Sequence, residues 1–387
     1  MLNQTITYGF LKALALLRYG TLTVVLPNGK SHVFSGSEPG AVATLRLYSW
    51  DVIPNMARKG DIGLAEDYRK GLWDADDLYA FMMVGLKNEA ALEQYIYGNF
   101  LSRALVKLSY VFRRNTMQGS KKNIEAHYDL GNAFYSLWLD PSMTYSAALF
   151  DGHDQSLEQA QHNKYDRLVD RMLPSGDVLE IGCGWGGFAE RAVARGDYRI
   201  KGLTLSHEQK HYADTRLKDK PVQIALQDYR HEKQQYDNIV SIEMFEAVGE
   251  EYWGDYFKKL GEGLRRQGRA LVQTILIQEK YFESYRKGGD FIRTYIFPGG
   301  MLPSAERFAA EAQKVGLRIA DQFHFGTHYA QTLRRWLANF DTKIAEVRAL
   351  GFDDAFIRLW RLYLAACAAS FDVGRTDVMQ VELRHAT

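Results

Sequence analysis

Three glycines with a fixed spacing are the clearest chemical signal in the chain. Gly182, Gly184 and Gly187 form a G-x-G-x-x-G pattern inside DVLEIGCGWGGFAE, residues 177–190. The pattern follows a strand-like apolar run and precedes a segment that favours a helix. Glycines there let the chain turn tightly and let a ligand approach the main chain beside a helix N-terminus. Dinucleotide enzymes and adenosyl-methionine enzymes both use such loops, so the pattern predicts a cofactor site without choosing between them.

The following strand separates these two alternatives. A nicotinamide enzyme usually carries Asp or Glu about 20 residues further on, where it binds the ribose hydroxyls. Here the next strand ends in GLTLSHEQ and offers Thr204 and Ser206 instead. The sequence therefore disfavours a dehydrogenase.

Other cofactor and catalytic classes find no support in the sequence. The chain has only two cysteines, Cys183 and Cys367, far apart and without nearby metal-ligand partners. This pattern predicts neither a zinc site nor a disulfide framework and is typical of a reducing, cytoplasmic setting. Serine hydrolase and P-loop motifs are absent. The apolar N-terminal stretch is interrupted by Lys12 and Arg18, which argues against a signal peptide or a membrane span.

The elements that position the glycine loop fall into two predicted domains. Residues 1–100 suggest a small α/β module, in which TLTVVLPNGKSHVF predicts a hairpin and DADDLYAFMMVGL a helix capped by an acid. Residues 124–387 alternate strand-like apolar runs with helical stretches. Such βα repeats predict an α/β domain with a doubly wound, parallel sheet. GLRIADQFHF, residues 316–325, is expected to close the sheet, and residues 353–371 to form a buried final helix.

Residues 101–123 connect the two domains and are strongly basic. The segment carries six lysines and arginines and no acid, and its apolar residues recur at three-to-four spacing. This is the pattern of a basic amphipathic helix that lies on an anionic lipid surface, although a solvated connector has the same composition. The basic residues form one stripe without the interleaved exposed aromatics of an RNA-binding pattern, so nucleic-acid binding is not expected.

Six blocks of sequence, in order, resemble the cyclopropane fatty-acid synthases. The blocks are HYDLGNAFYSLWLDPSMTYS, LEIGCGWGG, GLTLSHEQ, LQDYR, MFEAVG and YIFPGGMLPS, and the resemblance covers roughly residues 123–375. It implies a seven-stranded, mostly parallel Rossmann-like methyltransferase sheet with S-adenosyl-methionine as cofactor. The implied substrate is a double bond in a phospholipid acyl chain. Peripheral association with the inner face of the membrane and a homodimer are further expectations from the family.

The resemblance also assigns cofactor-binding roles. Tyr145 and Ser146 border the methionine end, while Glu180 fixes the glycine loop. The residues expected along the rest of the cofactor, from its backbone to its ribose and adenine, are Gly182, Gly184, Gly187, Thr204, Ser206, Gln209, Gln227, Asp228 and Tyr229. His127 and Asp129 are expected to organise a lid over the cofactor.

The implied chemistry makes demands on the pocket. Attack of an alkene on the sulfonium methyl leaves a carbocation, which water would quench. The pocket must therefore be dry and lined by π-faces or carboxylates that tolerate a cation. Five aromatic residues are candidates for this lining, each of which could equally be ordinary core: Tyr128, Phe134, Tyr135, Tyr145 and Phe245.

Loss of a proton from the cation completes the reaction. In the family a bound bicarbonate takes that proton, held by a Cys, a Glu, a His, an Ile main chain and a Tyr. This chain keeps Glu246, Ile275 and Tyr329 but has Ala147 in place of the cysteine and Gln273 in place of the histidine. A neutral amide binds an anion more weakly than a charged donor, so bicarbonate binding is weakened and Glu246 is a candidate base itself.

Several alternatives remain open at this stage. Ring closure and methyl or methylene branching are equally compatible with the sequence. Cys367 matches a cysteine once proposed as catalytic in the family, yet its setting in LAACAASF favours a buried free thiol. A small-molecule methyltransferase and a non-catalytic cofactor-binding protein are the alternative functions. The lipid-type block YIFPGGMLPS argues against the first, and retention of Glu246 and Tyr329 against the second.

Overall fold

A computed structural model describes residues 2–96, 130–152 and 154–386. The predicted basic helix at 101–123 lies outside the described residues, as do His127, Tyr128 and Asp129. The described chain forms two compact units. The smaller unit takes the described part of residues 1–112 together with residues 284–298 and 333–375. The larger unit contains the described parts of residues 113–283, 299–332 and 376–387.

The smaller unit contains a four-stranded sheet with the order β2-β1-β3-β4. Its strands are β1 (Tyr19–Val25), β2 (Ser31–Ser35), β3 (Glu38–Leu47) and β4 (Trp73–Ala75). Strands β1 and β2 pair antiparallel, which confirms the predicted hairpin, whereas β1 and β3 pair parallel. The sheet thus supports the prediction of a small N-terminal α/β fold.

Five helices accompany this sheet: α1 (Leu2–Leu14), α2 (Val52–Lys59), α3 (Asp61–Arg69), α4 (Leu78–Lys87) and α5 (Glu89–Ile96). Helix α4 begins where the sequence predicts. The side chain of Asp77 caps it by accepting a hydrogen bond from the main-chain N–H of Ala80 across 2.9 Å, which satisfies one of the free N–H groups of the first turn.

The larger unit is built on a seven-stranded sheet with the order β10-β11-β9-β8-β5-β6-β7. Its strands are β5 (Ser175–Ile181), β6 (Asp197–Thr204), β7 (Val222–Leu226), β8 (Tyr236–Ile242), β9 (Leu264–Ile277), β10 (Leu317–His324) and β11 (Thr376–His385). Strands β5 to β9 pair parallel, and β11 pairs antiparallel with both β9 and β10. The predicted seven-stranded, mostly parallel sheet is confirmed.

Helices cover this sheet and position its loops. They are α6 (Asn132–Ser136), α7 (Leu157–Arg171), α8 (Gly187–Val193), α9 (His207–Arg216), α10 (Trp253–Gly263), α11 (Glu279–Lys287) and α12 (Ala305–Lys314). Short 3₁₀ turns lie at Tyr229–His231, Phe245–Ala247 and Glu250–Tyr252. A π-helical turn at Ile292–Ile296 belongs to the smaller unit. Leu168 of α7 and Phe188 of α8 are almost fully buried against Val178 of β5 and Ile200 of β6 in one apolar cluster. This packing fixes α8 behind the glycine loop.

The last helices are α13 (Gly326–Thr342), α14 (Ile344–Ala349) and α15 (Asp354–Asp372). Helix α15 is the predicted buried helix, and it packs against α3 and α4 inside the smaller unit. Its Arg358 donates hydrogen bonds to the main-chain oxygens of Tyr68 and Trp73. The sequence interpretation assigned this whole region to a continuous domain 124–387, whereas the compact units interleave along the chain. None of the described helices has the length and apolarity that crossing a membrane requires.

Candidate active site

The loops that follow four parallel strands enclose a cavity at the carboxyl edge of the large sheet. Strands β5, β6, β7 and β8 end at Ile181, Thr204, Leu226 and Ile242. This edge is where doubly wound sheets bind ligands. Eleven of the twelve predicted cofactor residues line the cavity: Tyr145, Ser146, Glu180, Gly182, Gly184, Gly187, Thr204, Gln209, Gln227, Asp228 and Tyr229.

The glycine loop has the backbone that the sequence pattern requires. Gly182 has a φ of 80° and Gly184 a φ of 52°, a region that side chains with a Cβ disfavour. The main-chain N–H groups of Gly182 and Cys183 donate to the oxygen of Leu203 across 3.0 and 2.9 Å. A Cβ built on Gly184 meets no atom within 4 Å. The loop is therefore held on one side by β6 and leaves open space for a ligand on the other.

The hydroxyl and amide groups after β6 form a buried network. Thr204 Oγ1 donates to Gln209 Oε1 across 2.8 Å, and both residues line the cavity. Ser206, the twelfth predicted residue, is not part of the cavity lining. Its side chain caps helix α9 by accepting a hydrogen bond from the N–H of Gln209 at 3.2 Å. Ser206 thus positions Gln209, which faces the cavity.

The loop after β7 contributes residues that already have protein partners. Gln227 donates to Glu232 Oε2 at 3.1 Å, and Asp228 holds Arg230 in a two-pronged ion pair. The ring of Tyr229 stacks edge-on at 5.7 Å from that of Tyr256. These contacts give the outer end of the cavity a defined shape.

Glu180 is a buried carboxyl group in the cavity wall. Its side chain is 3% exposed, and its Oε2 accepts no hydrogen bond from the described residues. Burial raises the pKa of Glu180 to about 8, although the charges of Lys164 and Arg216 oppose the shift. A positively charged ligand group beside Glu180 would compensate the buried carboxylate.

Two of the residues predicted for proton transfer, Gln273 and Tyr329, donate to a carboxylate that the sequence interpretation did not include. The side chain of Glu243, in the loop after β8, also lines the cavity. Its Oε1 accepts hydrogen bonds from the N–H of Ala147 at 2.8 Å and from Gln273 Nε2 at 2.7 Å. Its Oε2 accepts one from the Tyr329 hydroxyl at 2.6 Å.

The predicted base Glu246 lies at the other end of the same short loop. Its Oε1 accepts hydrogen bonds from the N–H of Ile275 and from Thr274 Oγ1, while its Oε2 is buried without a partner among the described residues. Burial first, and the charge of Glu243 second, raise the pKa of Glu246 to about 8. Near neutral pH the pair therefore keeps a proton on Glu246.

Lys164 is a second charged residue that sequence reasoning missed. It lies on α7, is fully buried, and donates from Nζ to Ser146 Oγ across 2.6 Å. Burial lowers the pKa of Lys164 to about 7, while the charges of Glu243, Asp140 and Glu180 raise it. The only local signal is a lysine at an otherwise buried position of a helix, because its carboxylate partners come from distant segments.

Of the described aromatic residues that were predicted to line the pocket, one lines the cavity and three do not. Tyr145 lines the cavity, whereas Phe134, Tyr135 and Phe245 are fully buried in packing around it and are not part of its lining. The Tyr135 ring lies 5.4 Å from that of Tyr145 and 5.0 Å from that of Trp185, which is another lining residue. Tyr135 therefore supports the residues that face the cavity.

Cys367 lies on α15 in the smaller unit and is a free cysteine. Burial, followed by the charge of Asp290, raises the pKa of the Cys367 thiol well above its ordinary value. A thiol rather than a nucleophilic thiolate is its form at neutral pH.

Comparison with known proteins identifies the family. Residues 115–381 match the family model described as mycolic acid cyclopropane synthetase. The chain belongs to this family. Its relatives include the tuberculostearic acid methyltransferase UfaA1 of Mycobacterium tuberculosis, 37% identical over 84% of this chain and 79% of the relative. The cyclopropane-fatty-acyl-phospholipid synthase of Escherichia coli K12 is 33% identical over 90% of this chain and 88% of the relative.

Solved structures of family members agree with the fold. The cyclopropane synthase MmaA2 from Mycobacterium tuberculosis is 32% identical, covers 68% of this chain and 97% of its own, and superposes with a TM-score of 0.64. The mycolic acid cyclopropane synthase CmaA1, solved in a complex with SAH and CTAB, is 31% identical with the same coverage and TM-score. This member of the mycolic acid cyclopropane synthetase family is an S-adenosyl-methionine-dependent methyltransferase.

The cavity of this family member suits S-adenosyl-methionine. Gly184 leaves room at the main chain, and Thr204 and Gln209 present polar groups for ribose hydroxyls. Glu180 offers a buried carboxylate to a cofactor that carries both a sulfonium and an ammonium charge. A bicarbonate ion fits the family's mapped positions poorly, because Glu243 and Glu246 already accept the hydrogen bonds of Ala147, Ile275 and Tyr329.

Proposed function

We propose that this enzyme transfers the methyl group of S-adenosyl-methionine to a carbon–carbon double bond of an unsaturated acyl chain in a membrane phospholipid. The resulting cation loses a proton to give a cyclopropane or a methyl- or methylene-branched alkene. Family membership supports an acyl substrate, and the name of the Escherichia coli relative supports a phospholipid. The observation that carries the proposal is a pair of buried carboxyl groups in the loop after β8: Glu243, which lines the cavity, and Glu246, three residues further on.

For the proposed reaction the protein must bind the methyl donor, exclude water and stabilise a carbocation. When bound, S-adenosyl-methionine supplies an electrophilic methyl group. The π electrons of the alkene form the new C–C bond to this methyl, and the sulfur keeps the electron pair of the S–C bond that breaks. The other alkene carbon then carries a positive charge. The cavity residues Tyr145 and Trp185 keep water away from this carbon and offer π-faces to its charge. The negative charge held by the Glu243–Glu246 pair stabilises the same cation.

The proposal also includes delivery of the substrate. A phospholipid substrate is reached at a bilayer surface, and residues 101–123 supply six positive charges and no negative charge in the sequence. Basic amphipathic segments bind anionic lipid surfaces. We therefore propose peripheral docking on the inner face of the membrane through this segment.

The experiment that tests the proposed function compares two vesicle preparations. The protein is incubated with methyl-labelled S-adenosyl-methionine and with vesicles of either mono-unsaturated or fully saturated phospholipid that share one headgroup composition. Mass spectrometry of the acyl chains should find label in the unsaturated chains alone. Label in saturated chains, in headgroups or in no lipid would refute the proposal, and the last result would favour a small-molecule substrate.

A further inference from the structure

The Glu243 carboxylate is surrounded by donors on both of its oxygens. The three donors come from separate parts of the larger unit: Ala147 from the loop after α6, Gln273 from β9 and Tyr329 from α13. Three hydrogen bonds from an N–H, an amide and a phenol favour the ionised form. An anion site is thus present, and a side chain of the protein fills it.

The direction of the Gln273 amide is fixed by a chain of neighbours. Gln273 Oε1 accepts a hydrogen bond from Gln380 Nε2 at 3.0 Å, and Gln380 Oε1 accepts one from Arg167 at 2.9 Å. Because a guanidinium only donates, each amide must present its oxygen toward Arg167 and its nitrogen away from it. Gln273 therefore presents an N–H donor to Glu243 and cannot turn its oxygen there without losing this chain.

The backbone at Glu243 is also unusual. Its φ is 47°, in the left-handed region that residues with a Cβ adopt at a cost of roughly 1 kcal/mol. Its N–H donates to the main-chain oxygen of Gln273 across 2.8 Å, which holds the turn against β9. The turn leaves the Glu243 side chain in the cavity wall rather than in solvent.

We infer that the carboxylate of Glu243 is the base that removes the proton from the carbocation, in place of a bound bicarbonate ion. The inference rests on the proposed function. For a ring, one C–H bond of the newly added methyl breaks and its electron pair forms the C–C bond to the cationic carbon. For an alkene, a C–H bond on a carbon next to the cationic carbon breaks and its electron pair becomes the second bond of the C=C. The proton goes to a Glu243 oxygen and then leaves for solvent before the next turnover.

The charges around Glu243 support a base that is both ionised and reactive. Burial raises the pKa of Glu243, which strengthens it as a proton acceptor, while Tyr329, Lys164, Ala147 and Gln273 oppose the shift. Glu246 is the neighbouring acid. Since its own pKa is raised to about 8, Glu246 holds the proton of the pair and leaves the negative charge on Glu243.

The inference also explains the two departures of the sequence from the family. Ala147 has no side chain beyond Cβ and donates only its main-chain N–H, so it leaves room for the Glu243 carboxylate. Gln273 donates one N–H to that carboxylate and uses its oxygen to accept from Gln380. Both replacements suit a resident carboxylate rather than a diffusible anion.

The test uses the full-length protein, first as the wild type in buffer freed of carbon dioxide. Methyl transfer to unsaturated vesicles should stay within about 1.5-fold of its rate in buffer with added bicarbonate. Glu243→Gln should lower kcat by 100-fold or more, as loss of a general base does, while the affinity for S-adenosyl-methionine changes less than threefold. Glu262→Gln is the matched control, because Glu262 is half exposed on α10 and its loss should leave kcat unchanged.

Glu243→Ala provides a readout that does not depend on turnover alone. Removal of the side chain takes away the carboxylate that Gln273 and Tyr329 both donate to, so bicarbonate should raise the melting temperature of this variant and not that of the wild type. Bicarbonate should also restore its methyl transfer at least tenfold. A wild type that needs bicarbonate, or a Glu243→Gln variant that keeps more than a third of kcat, would overturn the inference alone. A wild type that transfers no methyl to lipid would instead refute the proposed function, and this inference with it.

Discussion

Gln380 and Gln273 face each other across two neighbouring strands, β11 and β9, and share a hydrogen bond of 3.0 Å inside the protein. Both side chains are at most 1% exposed. Two buried amides in register are costly unless each polar atom has a partner. Their role in this structure is to orient the donor that faces Glu243.

Replacement of Gln380 by methionine should therefore disturb catalysis without touching the cavity. Gln273 would no longer be held in one orientation, and Glu243 would lose part of a hydrogen bond that favours its ionised form. The pKa of Glu243 should rise, so the acid limb of the kcat–pH profile should move to higher pH. We expect kcat at pH 7 to fall roughly 3- to 10-fold, equivalent to about 1 kcal/mol.

The control for this variant is Gln322→Met. Gln322 lies on the neighbouring strand β10, where its side chain is exposed, so its loss should leave the pH profile in place. A Gln380→Met variant with a lower melting temperature and an unshifted pH profile would show that Gln380 serves stability alone.

Gly184 should be sensitive to a single added methyl group. Gly184→Ala would place a Cβ in the cavity and force alanine into a left-handed backbone, whereas Gly316→Ala imposes a similar backbone with a Cβ in open space outside the cavity. Both changes should destabilise the fold by about 1 kcal/mol. Only Gly184→Ala should weaken S-adenosyl-methionine binding, by tenfold or more in a direct titration. Equal affinities in the two variants would contradict the assigned position of the cofactor.

Variants of Gln209 and Ser206 should distinguish cofactor binding from capping of helix α9. Gln209→Ala removes a residue that lines the cavity and the acceptor for Thr204, so cofactor affinity should fall roughly tenfold, or about 1.4 kcal/mol. Ser206→Ala removes the cap of α9 and should cost about 1 kcal/mol in the free energy of unfolding. Its cofactor affinity should change about twofold or less. Denaturant titrations and binding isotherms on both variants check this division, and the opposite pattern would exchange the two roles.

Binding of the cofactor should release a proton from Glu180. In the free protein the raised pKa, about 8 against an ordinary 4.5, keeps Glu180 largely neutral at about pH 6.5. A cationic ligand favours the carboxylate, so its binding lowers the pKa and expels the proton. Calorimetric titrations in two buffers with different ionisation enthalpies should find close to one proton released by the wild type and fewer by Glu180→Gln.

The same shift sets the sign of the pH dependence of stability. A carboxyl group with a raised pKa in the folded state stabilises the fold below its unfolded pKa, and this stabilisation is lost as the pH rises through the folded value. The free energy of unfolding of the free protein should therefore decrease between about pH 4.5 and 8, by at most about 1.4 kcal/mol per pH unit from Glu180. Glu180→Gln should have a shallower slope, and an identical slope would place the shifted group elsewhere.

Local patterns predicted residues for the cofactor that the structure brings together around one cavity. The glycine loop and the hydroxyl and amide residues after β6 depend on short stretches whose backbone geometry is encoded nearby. Thr204 and Gln209 are five residues apart in the sequence, and they meet because Thr204 ends β6 and Gln209 lies in the first turn of α9, which follows it. Such relationships follow from spacing alone.

The proton-transfer half depends on contacts between distant segments, and the sequence interpretation missed its central residue. Glu243 lies three residues before the predicted Glu246, and nothing near it indicates that Ala147, Gln273 and Tyr329 converge on it. The sequence interpretation also missed strand β11, for a related reason. Its Gln380 and Glu382 are almost fully buried, so polar letters interrupt the apolar run that marks a central strand.

The most direct test of the account follows the methyl group itself. The protein is incubated with mono-unsaturated phospholipid vesicles and S-adenosyl-methionine that carries a trideuterated methyl, and acyl chains and S-adenosyl-homocysteine are quantified together. The account predicts acyl chains that gain one deuterated carbon as a ring or a branch, in equal molar amount with S-adenosyl-homocysteine. Wherever the new methyl loses the proton, that carbon should carry two deuterons instead of three. Unmodified acyl chains beside a protein that binds S-adenosyl-methionine would contradict it.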